Sequence, residues 1–228
     1  MQQTRRIPAL LLAMLMLFSL TLTSCGKKEE IAAPDQVAVA LFEMILKDDT
    51  SKMVELFGYA DEAEARKDMG LDGSLYDELA EQLTSAFTSQ GVTVTTEQMQ
   101  EFVDAFMKMF SGVNLTAVTK ESDEKAGAAV VTCTVNTFDA ESLTQAMNDA
   151  MNSVDPSLIA SDMDAAFGAI LQAAAKAIAD IKPTDKTADF DVDFELADMD
   201  VNGKTKKVWV PKDAAEFGNL VSTTAMGG

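Results

Sequence analysis

Between Asp189 and Leu196 the chain alternates strictly. Phe190, Val192, Phe194 and Leu196 are apolar, and Asp189, Asp191, Asp193 and Glu195 are acidic. A period of two puts these sets on opposite faces of an extended strand, one toward a core and one toward water. Asn202-Gly203 follows, a favoured pair for a two-residue hairpin turn. Lys206, Lys207, Val208, Trp209 and Val210 then form a return strand that Pro211 ends. The same period occurs earlier, in the Val- and Thr-rich residues 113–119 and 126–138, which flank a polar turn at 121–125. There Val131, Cys133 and Val135 share one face, and Thr132, Thr134 and Asn136 the other. The two hairpins predict a four-stranded antiparallel sheet.

The remaining patterns are helical. Residues 35–47 place Val37, Leu41, Met44 and Ile45 at helical spacing behind Pro34. Thr50 or Ser51 is expected to cap a short helix that Gly58 ends, and residues 61–69 form a charged, weakly amphipathic segment. Gly70 and Asp72-Gly73 mark a break. Ser74 with Asp77 opens a helix with Leu75, Leu79, Leu83, Ala86 and Phe87 inward, up to Gly91. Thr95 with Gln98 opens another, carrying Met99, Phe102, Val103, Phe106, Met109 and Phe110, up to Gly112. Between the hairpins, residues 139–154 place Leu143, Met147, Ala150 and Met151 inward. Asp155-Pro156 then starts one long Ala-rich helix, with Ile159, Met163, Ala166, Phe167, Ile170, Ala174 and Ile178 inward, continuing to Pro183. A short helix over 213–221 closes the chain. The predicted fold class is α+β: a mostly helical N-terminal half, then a four-stranded antiparallel sheet of two hairpins joined by two helices.

The first residues carry an address. Arg5 and Arg6 precede an uncharged, Leu-rich stretch over 7–22, the pattern of a secretory signal peptide. Leu22-Thr23-Ser24-Cys25 closes it and resembles the bacterial lipobox. That resemblance implies cleavage before Cys25 and a diacylglycerol on the Cys25 sulfur, as in a palmitate-bearing lipoprotein. Two acyl chains anchor stably where one is marginal, because each buried methylene contributes roughly 0.8 kcal/mol. Residues 1–24 are thus expected to be a signal peptide and 25–33 the lipidated Cys and its tether. Residues 34–222 form a single extracytoplasmic domain and 223–228 a flexible tail. Extended, the tether reaches roughly 25 Å, enough to hold the domain clear of the headgroups. The expected location is the outer face of the cytoplasmic membrane.

Composition excludes several chemistries. The formal net charge is −19, and Arg5 and Arg6 lie in the leader, so the domain itself is more acidic still. Such a surface is repelled by nucleic acid and by anionic lipid. The chain has no His, so Ser-His and Cys-His nucleophile pairs and His-based zinc sites cannot form. With Cys25 lipidated, Cys133 is the one thiol left, and no intrachain disulfide can close. Cys133 lies mid-strand among Val and Thr, where a small buried residue is expected rather than a reactive thiolate.

Asp198-Met199-Asp200-Val201-Asn202-Gly203 matches the first half of an EF-hand calcium loop, but Trp209 occupies the position of the bidentate Glu. A hairpin turn with acidic flanks is the expectation. In the row Asp189, Asp191, Asp193 and Glu195, alternate residues stand about 7 Å apart, too far to grip one calcium ion tightly. Lys204, Lys206 and Lys207 are expected to offset that row across the hairpin. Met107 and Met109, two apart on a helix, diverge and cannot chelate a soft metal. Met147 and Met151 share a face assigned to the core; Trp209, a lone strand tryptophan, is expected in the core, with an exposed partner anchor as the alternative. No catalytic residue, metal ligand or cofactor-binding residue is assigned.

Three passages together, the lipobox, VTCTVNTFDAESL (131–143) and VWVPKDAAEFG (208–218), resemble an uncharacterised family of bacterial lipoproteins, the domain of unknown function 5105 family. The resemblance implies no catalytic residue. It implies a sheet-and-helix plan similar to small envelope domains of the nuclear-transport-factor-2-like type, from which this chain departs by its long helical first half. The expected function is a non-enzymatic, lipid-anchored binding or scaffold module, with the membrane and an envelope protein as partners. The rival expectations are a small-ligand-binding lipoprotein, with its pocket between the sheet and the helices near 102–110, and a carboxylate-dependent enzyme.

Overall fold

The computed structural model describes residues 31–69, 75–201 and 203–227. Within them the chain is α+β, with nine helices and one four-stranded antiparallel sheet. Cys25, the break at 70–74 and Asn202 lie outside the described residues.

Five helices come first. α1 (Pro34–Lys47) starts on its proline and buries Val37, Ala38, Ala40, Phe42 and Met44. It ends at Asp48, in the left-handed region at φ 51°. The Arg66 guanidinium holds that residue, donating to the Asp48 carbonyl at 2.6 Å and to its carboxylate at 2.5 Å. α2 (Ser51–Phe57) ends at Gly58, also left-handed at φ 76°. Its first amide is capped by Asp49, whose carboxylate accepts from Ser51 N at 2.9 Å. The expected cap, Thr50, is instead buried and donates its hydroxyl to Glu62 at 3.0 Å. α3 (Glu62–Asp68) is capped by Asp61. α4 (Leu75–Ser89) and α5 (Thr96–Ser111) follow, the latter with the full capping box of Thr95 and Gln98.

The sheet runs in chain order, β1 (Leu115–Asp123), β2 (Ala128–Asn136), β3 (Thr187–Val201) and β4 (Lys204–Pro211). β1 carries a bulge between Thr119 and Glu121. Val131, Cys133 and Val135 are fully buried, and Phe190, Val192 and Phe194 sit beside them on β3. Val201 pairs with Lys204, so the last hairpin turns in two residues, the second being Gly203 at φ 68°.

The connection between the hairpins differs from expectation. It holds α6 (Ala140–Asn152), α7 (Pro156–Ser161) and α8 (Met163–Ile178), so the single Ala-rich helix is two. Asp162 divides them: its backbone is extended and its carboxylate caps α8 by accepting from Ala165 N at 3.0 Å. α9 (Ala214–Ala225) outruns its expected end. Thr224 and Ala225 are buried, and Phe138 N donates to Ala225 O at 2.7 Å. Residues 223–225, expected in a flexible tail, therefore belong to the packed fold.

The main core lies between the apolar face of the sheet and α1, α5 and α9. A smaller one joins α4, α5 and α8 through Ala80, Met99, Val103, Met107 and Leu171. α5 serves both, so Met107 points to the small core and Met109 to the large one. Some expected stripes are displaced. On α4 the buried residue is Ala80, while Leu79 is exposed. Met147, Met151, Ile159 and Met163 are also exposed, since no element among the described residues covers that side of the connection.

Cys133 is wholly inaccessible, and burial pushes its thiol up to about 12, with the Asp191 charge adding to the effect. The folded state thus holds this proton more tightly than the unfolded chain does. The contribution is complete below the unfolded thiol pKa of about 8.5 and is lost as pH rises toward the folded value. Urea midpoints of the wild type are expected to fall from that pH upward, before the tyrosines titrate. In Cys133→Ala that first fall is expected to be absent; an unchanged profile would contradict the assignment.

Candidate functional site: an apolar cleft behind the last hairpin

Val37, Leu41, Met44 and Ile45 recur at helical spacing along one side of α1, and Met53 and Phe57 do the same on α2. Opposite them stand Val208, Trp209, Val210 and Pro211 of β4, then Ala214 and Phe217 of α9. Between these walls lies a cleft of about 360 Å³, within the size range of small-molecule sites. Val208 and Trp209 are consecutive in a strand, so they face opposite ways, yet both are buried. This end of the hairpin is therefore covered on both sides.

Polar groups gather at one end. Asp68 ends α3, Asp200 lies near the tip of the last hairpin, and both line the cleft beside Met69 and Met199. Tyr59 is buried nearby, and its phenol is pushed up to about 12 by desolvation first and then by Asp68, Asp200 and Glu64. Lys206 donates its ammonium to the Phe57 carbonyl at 3.0 Å. Trp209, the chain's single tryptophan, is 2 % exposed, a core residue as expected and also part of the wall.

Near 102–110, the expected place of a pocket, rings are in contact: Phe106 and Phe110 stand 4.7 Å apart, and Phe110 meets Phe138 edge-on at 5.3 Å. The cleft lies instead between the first two helices and β4. The sequence carried one signal for it, the unbroken apolar run from Val208 to Pro211, which marks a strand covered on both faces rather than one.

Other sequence candidates take structural positions. Asp198 lies opposite Lys207 in the β3–β4 ladder and accepts from its ammonium at 3.0 Å, so the EF-hand-like segment is paired strand up to Val201. The acidic row is not offset by Lys204, Lys206 and Lys207, because the register sets them beyond it, opposite Val201, Met199 and Asp198. Asp191 instead accepts from Lys120 at 2.8 Å and from Thr132 at 2.6 Å, which lowers its pKa. Asp189 accepts from Thr134 at 2.7 Å, and Asp193 pairs with Lys212 at 3.4 Å. Met147 and Met151, assigned to the core, are 40 % and 50 % exposed.

No family model matches the chain, so the resemblance to the domain of unknown function 5105 family rests on the quoted passages alone. No curated protein matches it either. Among solved structures the chain is similar to a predicted lipoprotein, ycdA, of Bacillus subtilis subsp. subtilis str. 168. The TM-score is 0.53 at 13 % identity, over 85 % of this chain and 56 % of the other. At that identity the likeness is one of fold, and this chain spans little more than half of that structure's length. No described helix is long and apolar enough to cross a membrane.

Proposed function

We propose that this chain is a lipid-anchored, extracytoplasmic binding module of the cell envelope, and that its cleft receives a small, largely apolar ligand. The observation that carries the reading is the cleft itself: two helix faces and a doubly covered strand leave about 360 Å³ unfilled beside a core that is elsewhere closely packed. The Leu22-Thr23-Ser24-Cys25 sequence supports the anchor, and the lipoprotein assignment of the Bacillus subtilis structure agrees with it. A wall that is apolar apart from Asp68 and Asp200 supports binding as the reading. A thermal melt of the protein against a panel of envelope metabolites tests the cleft, because a ligand bound only to the folded state raises the midpoint by mass action. A saturable rise is expected, and no rise with any compound would defeat the reading.

The anchor has its own test. Wild-type protein is expected to incorporate labelled palmitate, whereas Cys25→Ala is expected to lose the label and to keep residues 1–24 attached. Palmitate incorporation by Cys25→Ala would refute lipidation at this residue.

A further inference from the structure

Four of the seven exposed large apolar side chains among the described residues fall between 147 and 163. Met147 and Met151 stand one turn apart on α6, so they share a face of that helix. Ile159 on α7 and Met163 at the start of α8 flank the break at Asp162. α6 and α8 pack on each other with α7 at the turn between them, so Met151, Ile159 and Met163 lie at one end of this helical pair. Apolar side chains exposed together, unlike single ones, mark a contact surface, and methionine adapts readily to a partner's shape. The surroundings carry one sign of charge. No lysine or arginine occurs between Lys125 and Lys176. Asp155, Asp162 and Asp164 neighbour these side chains along the chain, and all three are exposed. Each accepts one backbone amide, from Ser157 at 2.8 Å, Ala165 at 3.0 Å and Thr93 at 3.0 Å respectively. Those bonds hold Asp155 and Asp164 below the usual carboxylate range, so both are ionised at neutral pH. An amide does not cancel the charge, and among the described residues none of the three forms an ion pair.

We infer that this face docks a basic amphipathic helix of a partner protein. The helix lays its apolar stripe on Met147, Met151, Ile159 and Met163, and its lysines or arginines face Asp155, Asp162 and Asp164. Complementary charge is what selects this occupant. A second copy of this chain, with its formal net charge of −19, would be repelled, and so would an anionic lipid surface.

The probe is a peptide of leucine and lysine at helical spacing. Its references carry glutamate in place of lysine, or serine in place of leucine. Each is titrated into the full chain in nanodiscs of zwitterionic lipid, with the methionine methyl groups isotope-labelled and followed by NMR. Free peptide is measured after the discs are sedimented, so uptake by lipid does not enter the affinity. The leucine–lysine peptide is expected to shift the Met147, Met151 and Met163 signals saturably and to leave those of the buried Met99 and Met109 in place. It is expected to bind about tenfold more tightly than the serine peptide, a ratio equivalent to about 1.4 kcal/mol, and to weaken as salt is raised. The glutamate peptide is expected to cause no shift. Met147→Ser combined with Met151→Ser is expected to abolish the advantage of leucine over serine. Asp155→Asn combined with Asp162→Asn is expected to weaken binding severalfold with an unchanged melting midpoint, because asparagine caps a helix as aspartate does. Equal binding of the leucine and serine peptides, equal binding of the lysine and glutamate peptides, or shifts confined to other methionines overturns the inference. So does movement of the three signals with protein concentration or with added lipid alone, which would put a second copy or the membrane on this face.

Discussion

Phe110→Ala is expected to destabilise the fold by about 3–5 kcal/mol, a large part of the stability of an ordinary domain. Phe110 is 1 % exposed at the last turn of α5. Its ring contacts Phe106 on its own helix and Phe138 in the segment leading from β2 to α6. It therefore joins the helical first half to the sheet. Removing it forfeits the transfer of a large ring and leaves a cavity that neither neighbour can close, since both are held by their own backbones. Urea denaturation should show a lower midpoint with an unchanged slope. Phe102→Ala, at a half-buried position on the same helix, should cost clearly less. Equal losses at the two positions would mean that Phe110 is not the joint described.

Gly168→Val is expected to cost about 2–3 kcal/mol through overpacking and a broken cap. Gly168 lies within α8, where its missing side chain admits the amide of Gln98 from α5. A Cβ there would collide with that amide, and its Cδ would lie only 3.1 Å away. Gln98 cannot simply swing aside, because its carbonyl oxygen accepts from Thr95 N at 3.0 Å, and its own backbone amide donates to the Thr95 hydroxyl at 3.2 Å. Removing the obstacle should reverse the sign. In a Gln98→Ala background, Gly168→Ala should stabilise by up to about 1 kcal/mol, the helix-propensity gain of alanine over glycine. A Gly168→Ala change that costs the same in both backgrounds would show that the contact with Gln98 is not what fixes the glycine.

The sheet was legible because its signal is local and strict. Alternation at 189–196 and at Val131, Cys133 and Val135 names the buried face without knowledge of what covers it. Capping was nearly as clear at Thr95 and Asp155. The exposed Met147, Met151 and Met163 were misread because helical period shows that a face is apolar, not that a neighbour reaches it. The break at Asp162 was masked by the apolar spacing on either side, although an aspartate three residues before Ala165 is itself a capping signal. The cleft depends on how α1 and α2 lie against β4, a long-range arrangement that no window of sequence contains. The partners of the acidic row were misjudged for a similar reason. Register across β3 and β4 sends the three lysines toward the hairpin tip, while Lys120 arrives from β1 two strands away.

The two outer strands of the sheet decide how this chain behaves among its own copies. β1 is bent by its bulge and carries Lys120, Glu121 and Asp123. β4 carries Lys204, Lys206 and Lys207 and stops at Pro211, which has no amide proton to offer. Charges, a bulge and a proline each blunt a strand edge against continuation by another molecule. If the chain is held at a membrane surface as proposed, where copies meet in two dimensions, that protection would let it stand at high density without sheets joining edge to edge into fibres.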